Sequence, residues 1–176
     1  MYSGLNENAL ILPDIADALK DYCSIQYDID DGKCKAAALI AQSIDIKRII
    51  GEDNLNRCIT DPAATEEPTT ADKELKALII PALCYYTYSR LLLLFHTTFT
   101  DSGLTSSTDD GAEERNAAKS MAKEVKSVAE SFMVDVIEFL EEEADSDPTI
   151  DGSDIKSKNL TPKIRTFGGG ERRASN

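Results

Sequence analysis

The chain is poor in the groups that do chemistry: 176 residues hold one histidine, His96, and four cysteines with no C-x-x-C pair among them. A Ser-His-Asp or Cys-His arrangement would have to be assembled around that single imidazole. His96 instead falls at the end of a long apolar stretch, where contact with terminal helix carbonyls is its expected role. Cys23, Cys34, Cys58 and Cys84 lack zinc-ligand spacing. Three of them sit within apolar helical patterns, where a reduced thiol behaves as a small hydrophobe, so a reducing cytoplasm is the expected compartment. Gly168-Gly-Gly170 is not followed by Lys-Ser or Lys-Thr, which excludes a phosphate-cradling loop. The first eight residues have neither a basic start nor a long apolar core, so no secretion signal is read.

Acidic residues are plentiful but poorly placed for metal or acid–base work. In Asp28-Ile-Asp-Asp-Gly32 the twelfth position of a calcium loop would be Leu39 rather than Glu, so an ordinary turn is expected. Glu66-Glu67, Glu113-Glu114 and Glu141-Glu-Glu143 are adjacent carboxylates that point in different directions on a helix, and the Glu-x-x-His pattern is missing. They read as solvated surface. No enzyme, metal site or cofactor is expected.

Positive charge is also scarce, with 19 basic against 32 acidic residues and a formal net charge of −13. Residues 152–176 hold six basic residues against Asp154 and Glu171, a net of +4, which leaves −17 on residues 1–151. So acidic a body excludes general nucleic-acid binding, because affinity for phosphate backbones comes from Lys and Arg displacing counterions.

What the chain has is apolar helix. Ala77 to Phe95 is long enough to span a bilayer, but Arg90 and the central Tyr85-Tyr-Thr-Tyr-Ser89 make a buried soluble helix the better reading. A helix apolar on most sides must be surrounded, by its own domain or by neighbouring subunits. Ile15, Ala18, Leu19 and Tyr22 predict a short amphipathic helix over 14–26. From Lys33 to Ile50 apolar positions, Ile44 among them, run nearly all the way round a helical wheel, and Gly51 closes that helix. Leu55, Cys58 and Ile59 face inward from another turn or two. Asp61 to Thr70 reads as a loop, followed by a helix over 71–96 capped by Thr70 or Asp72 and kinked at Pro81. Phe99 to Leu104 suggests a short hairpin or extended arm within 97–108. The last helix, capped by Asp109 or Asp110, carries a broad stripe from Ala118 through Met121, Val125, Val128 and Phe132 to Leu140. Fraying is expected at Glu141-Glu-Glu143, because negative charge opposes the dipole at a helix C-terminus. The fold class is therefore mainly α, a bundle of four to five helices over 1–143, with 144–176 as an extended or disordered tail.

The arrangement resembles the head-to-tail connector (adaptor) proteins of tailed bacteriophages. Ala41-Gln42, Ile44, Ile46 and Ile49-Ile50-Gly51 are similar to their "AQ" pair, spaced aliphatics and closing "LG", with Ile in place of Leu. Ile80-Pro81, Tyr85-Tyr86 and Arg90-Leu91-Leu92 resemble the central helix, Phe99 to Leu104 the extended excursion, and Ala118 to Leu140 the last helix. The resemblance covers roughly residues 30 to 142. It implies a structural virion protein in the neck between capsid and tail. A ring, usually of twelve copies, would dock on the portal and on the next ring or tail protein, with DNA passing through an acidic lumen without sequence-specific binding. Tyr85, Tyr86, Phe99 and Leu104 are the expected subunit or portal contacts. Ile164, Arg165 and Phe167 in the basic tail would reach a neighbouring ring. The alternative is a soluble helical scaffolding or regulatory module that docks a partner helix.

Overall fold

The computed structural model describes residues 10–25, 30–59, 67–95, 99–100, 103–104 and 110–146. Five helices follow in order: α1 (Ile15–Cys23), α2 (Asp31–Ile40), α3 (Lys47–Cys58), α4 (Thr70–Phe95) and α5 (Asp110–Ser146), with a π-helical turn at Ala41–Ile46 joining α2 to α3. The chain is mainly helical, as expected. Between α4 and α5 the described backbone consists of two dipeptides, Phe99–Thr100 and Gly103–Leu104, paired antiparallel.

α4 is the axis of the molecule. It packs on α1, α2, α3 and the π-helical turn, and most extensively on α5, which runs antiparallel to it. The register is set by the Ser89 hydroxyl donating to the Ala122 carbonyl, by Lys126 over the Tyr86 ring, and by Tyr85 stacked on Phe132. At 1.5 Å per residue α4 is about 39 Å long and α5 about 55 Å. By length and composition alone Thr70–Leu94 would suffice to cross a membrane, but Arg90, about one turn from its C-terminal end, is ion-paired to a buried acid and helices pack around it, as befits a core helix.

Of the two covers expected for α4, its own domain or neighbouring subunits, the first buries much of it. Leu75, Ile79, Ala82, Leu83, Cys84, Tyr86 and Leu91 are buried within the single chain, as are Ile46, Ile49 and Ile50. Each large aliphatic so removed from water contributes roughly 1.5–3 kcal/mol. The four thiols are free, and Cys34, Cys58 and Cys84 belong to this core. Burial pushes the Cys23 and Cys84 thiols up to about 12.

Helix ends follow local chemistry. α1 stops where Ser24 takes a left-handed conformation (φ 51°). α2 begins inside the stretch read as a turn, because the Asp30 carboxylate accepts from the Lys33 amide at 2.9 Å and caps it. Gly51 (φ 83°, ψ 174°) breaks α3 in a region that only glycine occupies easily, as its position after Ile50 predicted. The cap of α4 is Thr69, not Thr70. Its hydroxyl accepts from the Asp72 amide while the Asp72 carboxylate accepts from the Thr69 amide and hydroxyl, a reciprocal capping box. Pro81 lies within an uninterrupted helix.

The π-helical turn is the main departure from the wheel. Buried residues come in pairs four apart: Ala37 and Ala38, Ala41 and Gln42, Asp45 and Ile46, Ile49 and Ile50. A regular helix repeats every 3.6 residues, so a four-residue repeat drifts about 40° per turn away from the core. Widening one turn to i→i+5 bonding, seen where the Lys47 amide donates to the Gln42 carbonyl, restores the phase. The consequence is that Ile44, expected inside, is 53% exposed, and Asp45 is buried in its place.

Candidate interaction surface

Asp45 is the most deeply buried charge among the described residues, its side chain 3% exposed. It is held from two directions. Arg90 of α4 donates to both carboxylate oxygens, with Nη2 at 3.0 and 2.7 Å and Nε at 3.1 Å, and Lys126 of α5 lies 3.2 Å away. A buried carboxylate is tolerated only with such partners. Beside it Gln42, also buried, accepts from the Ile11 amide at 3.0 Å and fastens the segment before α1 to the π-helical turn. Tyr86 completes the cluster. Burial, then the charges of Glu130 and Asp45, raises its phenol, and Arg48 works against them.

A second charged cluster lies at the opposite end of α4. Arg57 of α3 donates to Asp72 of α4 at 2.7 Å and makes a paired contact with Glu143 of α5 at 2.9 and 2.7 Å, while also bonding Asn54. The Glu143 hydrogen bonds are the main cause of a raised guanidinium pKa. Desolvation pushes the Asp72 carboxyl upward, but hydrogen bonds from Thr69 and Arg57 outweigh it and hold it below the usual range. α5 continues past Glu141-Glu-Glu143 to Ser146, and Glu143 is anchored by Arg57. Glu141 and Glu142 are exposed.

In both clusters each carboxylate is paired with a cation. Among the described residues no three His, Cys, Asp or Glu side chains come together in a way that could hold a metal ion.

Two apolar faces lie on the surface of the bundle. At 100° per residue, Met121, Val125, Val128, Phe132 and Phe139 of α5 fall in a sector about 60° wide, roughly 90° from the buried line through Ala122, Ala129, Met133 and Leu140. Met121 and Val128 are 45% and 41% exposed, and the others are half-buried. Leu78, Tyr85 and Leu92, seven residues apart on α4, adjoin this sector through the Tyr85–Phe132 stack, whose ring centroids are 5.6 Å apart. We term this surface face A. The other face lies on the π-helical side, where Ile40 and Ile44 are 37% and 53% exposed and Arg48 is exposed one turn further on. This is face B.

Of the residues expected at an interface, Tyr85 lies within face A, half-buried, with its hydroxyl donating to the Tyr22 carbonyl at 2.9 Å. Tyr86, 2% exposed, faces inward toward Lys126. It offers a neighbour almost no surface. The backbones of Phe99 and Leu104 are paired with each other, while their side chains and Ile164, Arg165 and Phe167 lie outside the described residues, as does His96. The sequence reading missed Asp45, Lys126 and Arg57. A charge repeating in phase with alanines, as Asp45 does after Ala37 and Ala41, was the available signal.

Comparison with curated proteins and with solved structures gives no match. Residues 46–156 match a family of unknown function, a stretch that contains α3, α4 and α5 with Arg57, Arg90, Lys126 and Glu143. Because that match spans more than half of the chain, the protein belongs to the family DUF6712.

Proposed function

We propose that this chain is a structural subunit of a phage virion, forming a ring, of twelve copies in the resemblance noted above, that joins the capsid portal to the tail and lets DNA pass through its lumen. The observation that carries the reading is the presence of large aliphatic side chains on two separate faces of a folded acidic subunit. A protein that must touch two neighbours needs two such faces. A net charge of −13 suits a passage for DNA, since like charges keep the polymer from adhering. In this reading the segment 97–108 is a hairpin or arm that meets the portal through Phe99 and Leu104. The basic tail, residues 152–176, orders on an adjoining ring through Ile164, Arg165 and Phe167. The complex assembles in the host cytoplasm and resides in the neck of the particle, with no enzymatic step, cofactor or membrane.

Electron microscopy of the purified protein, alone and mixed with a portal protein from the same phage, tests this. A closed ring with a central opening, free or seated on the portal, is the expected result. A particle that stays at 19.2 kDa in both samples overturns it. A second reading is favoured by the closure of the core within one chain: a monomeric module whose face A takes an amphipathic helix of another protein. One-to-one binding of a single helical partner, with no ring, distinguishes it.

A further inference from the structure

Faces A and B differ in charge as well as in position. Tyr85 and Arg90 are five residues apart on α4, about 140° round its axis. The Arg90 side holds the π-helical turn through Asp45, and the Tyr85 side carries face A. Ala37, Ala41 and Asp45 are buried, so Ile40 and Ile44 look outward from the Arg90 flank while Met121 and Val128 look outward from the other. Along the edge of face A beside Val128 the exposed charges are acidic, Glu124 one turn before it and Asp135 two turns after it. On face B the exposed charge following Ile44 is Arg48.

We infer that face B of one copy seats on face A of the next, with Ile40 and Ile44 against Met121 and Val128, and Arg48 opposite Glu124 and Asp135. This rests on the self-assembly proposed above and names the surfaces that perform it. Charge selects the pairing. Two A faces would set Glu124 and Asp135 against their own copies, and two B faces would oppose Arg48 with Arg48, whereas A against B joins unlike charges. Such a contact is head-to-tail, leaves one A and one B unsatisfied on any open chain of subunits, and closes only as a ring or continues as a filament.

The test uses two full-length variants, each blocked on one face: Ile44→Asp and Val128→Asp. Both positions are exposed, and circular dichroism melting matched to wild type verifies folding. In sedimentation velocity, wild type at about 1 mM is expected to run larger than a monomer, and each variant alone as a 19.2 kDa monomer. Their equimolar mixture should form a heterodimer of twice that mass, because one intact A face meets one intact B face. Reversing charge in Arg48→Glu should weaken the heterodimer at least tenfold, and pairing it with Glu124→Arg should restore it. A mixture that stays monomeric overturns the inference, as does either variant forming a symmetric dimer by itself. Variants that still close rings like wild type would reject these faces while leaving the connector reading intact. A wild type that stays monomeric at that concentration also rejects the inference, and a ring seen only on the portal would then keep the connector reading.

Discussion

The two charged clusters of this bundle are chemical inverses. Near the π-helical turn one carboxylate, Asp45, is shared by two cations, Arg90 and Lys126; at the other end one cation, Arg57, is shared by two carboxylates, Asp72 and Glu143. Burial separates them further. Asp45 is 3% exposed, with partners at 28% and 37%, whereas Arg57, Asp72 and Glu143 are 26%, 17% and 18% exposed. In the first the shared ion has no route to water and its partners do. In the second all three ions keep some access. The first should therefore behave as an obligatory core pair and the second as a strong surface tie.

Arg90→Met breaks the comparison most severely, since it leaves a buried carboxylate with Lys126 as its only cation. A loss of about 3–5 kcal/mol in urea unfolding is expected, and a value below about 1 kcal/mol would show that Asp45 reaches solvent. Asp45→Asn removes the buried charge and leaves cations that can hydrate, so it should cost clearly less than Arg90→Met. Equal costs would refute the burial argument.

At the other cluster Arg57→Met should cost about 1–2 kcal/mol, as expected for partly exposed charge-assisted bonds. Amide exchange should speed up in the last turn of α5 and near Thr69, and stay unchanged around Ala122. Acid sharpens the same contrast. A carboxyl held low in the folded state stabilises above its unfolded value of 3.8, and the contribution disappears as pH falls below that value toward the folded one. Wild type should therefore lose more stability than Asp72→Asn between about pH 5 and pH 2, and parallel curves would remove Asp72 from the account.

The smallest effect concerns Thr87, on the same flank of α4 as Arg90. Its hydroxyl is buried with no hydrogen-bond partner among the described residues. Thr87→Val keeps the shape and removes an unsatisfied group, so thermal unfolding should show no loss and a gain of up to about 1 kcal/mol. A loss would mean that the hydroxyl is bonded through water.

Much of the helical plan was legible along the chain. The break at Gly51 followed from backbone sterics, and the inward line of α5 through Ala122, Ala129, Met133 and Leu140 from its period. The outer edges of that stripe were not legible: Met121 and Val128 share its wheel sector, yet α4 is one helix wide and covers only the middle. Ile44 was misplaced because a wheel assumes one period, and the π-helical turn changes the phase at Ala41. The anchoring of Glu143 was not legible because a dipole argument acts within one helix, and its partner Arg57 lies 86 residues earlier.

Composition and periodicity alone determined an acidic, mainly helical chain with one long apolar helix at its centre, because those properties are summed over local sequence. Which charges meet was decided only when α3, α4 and α5 were set side by side, and so was which aliphatic residues remain outside. Both depend on distances between segments far apart in the chain, and on a single widened turn whose cause is the packing it serves.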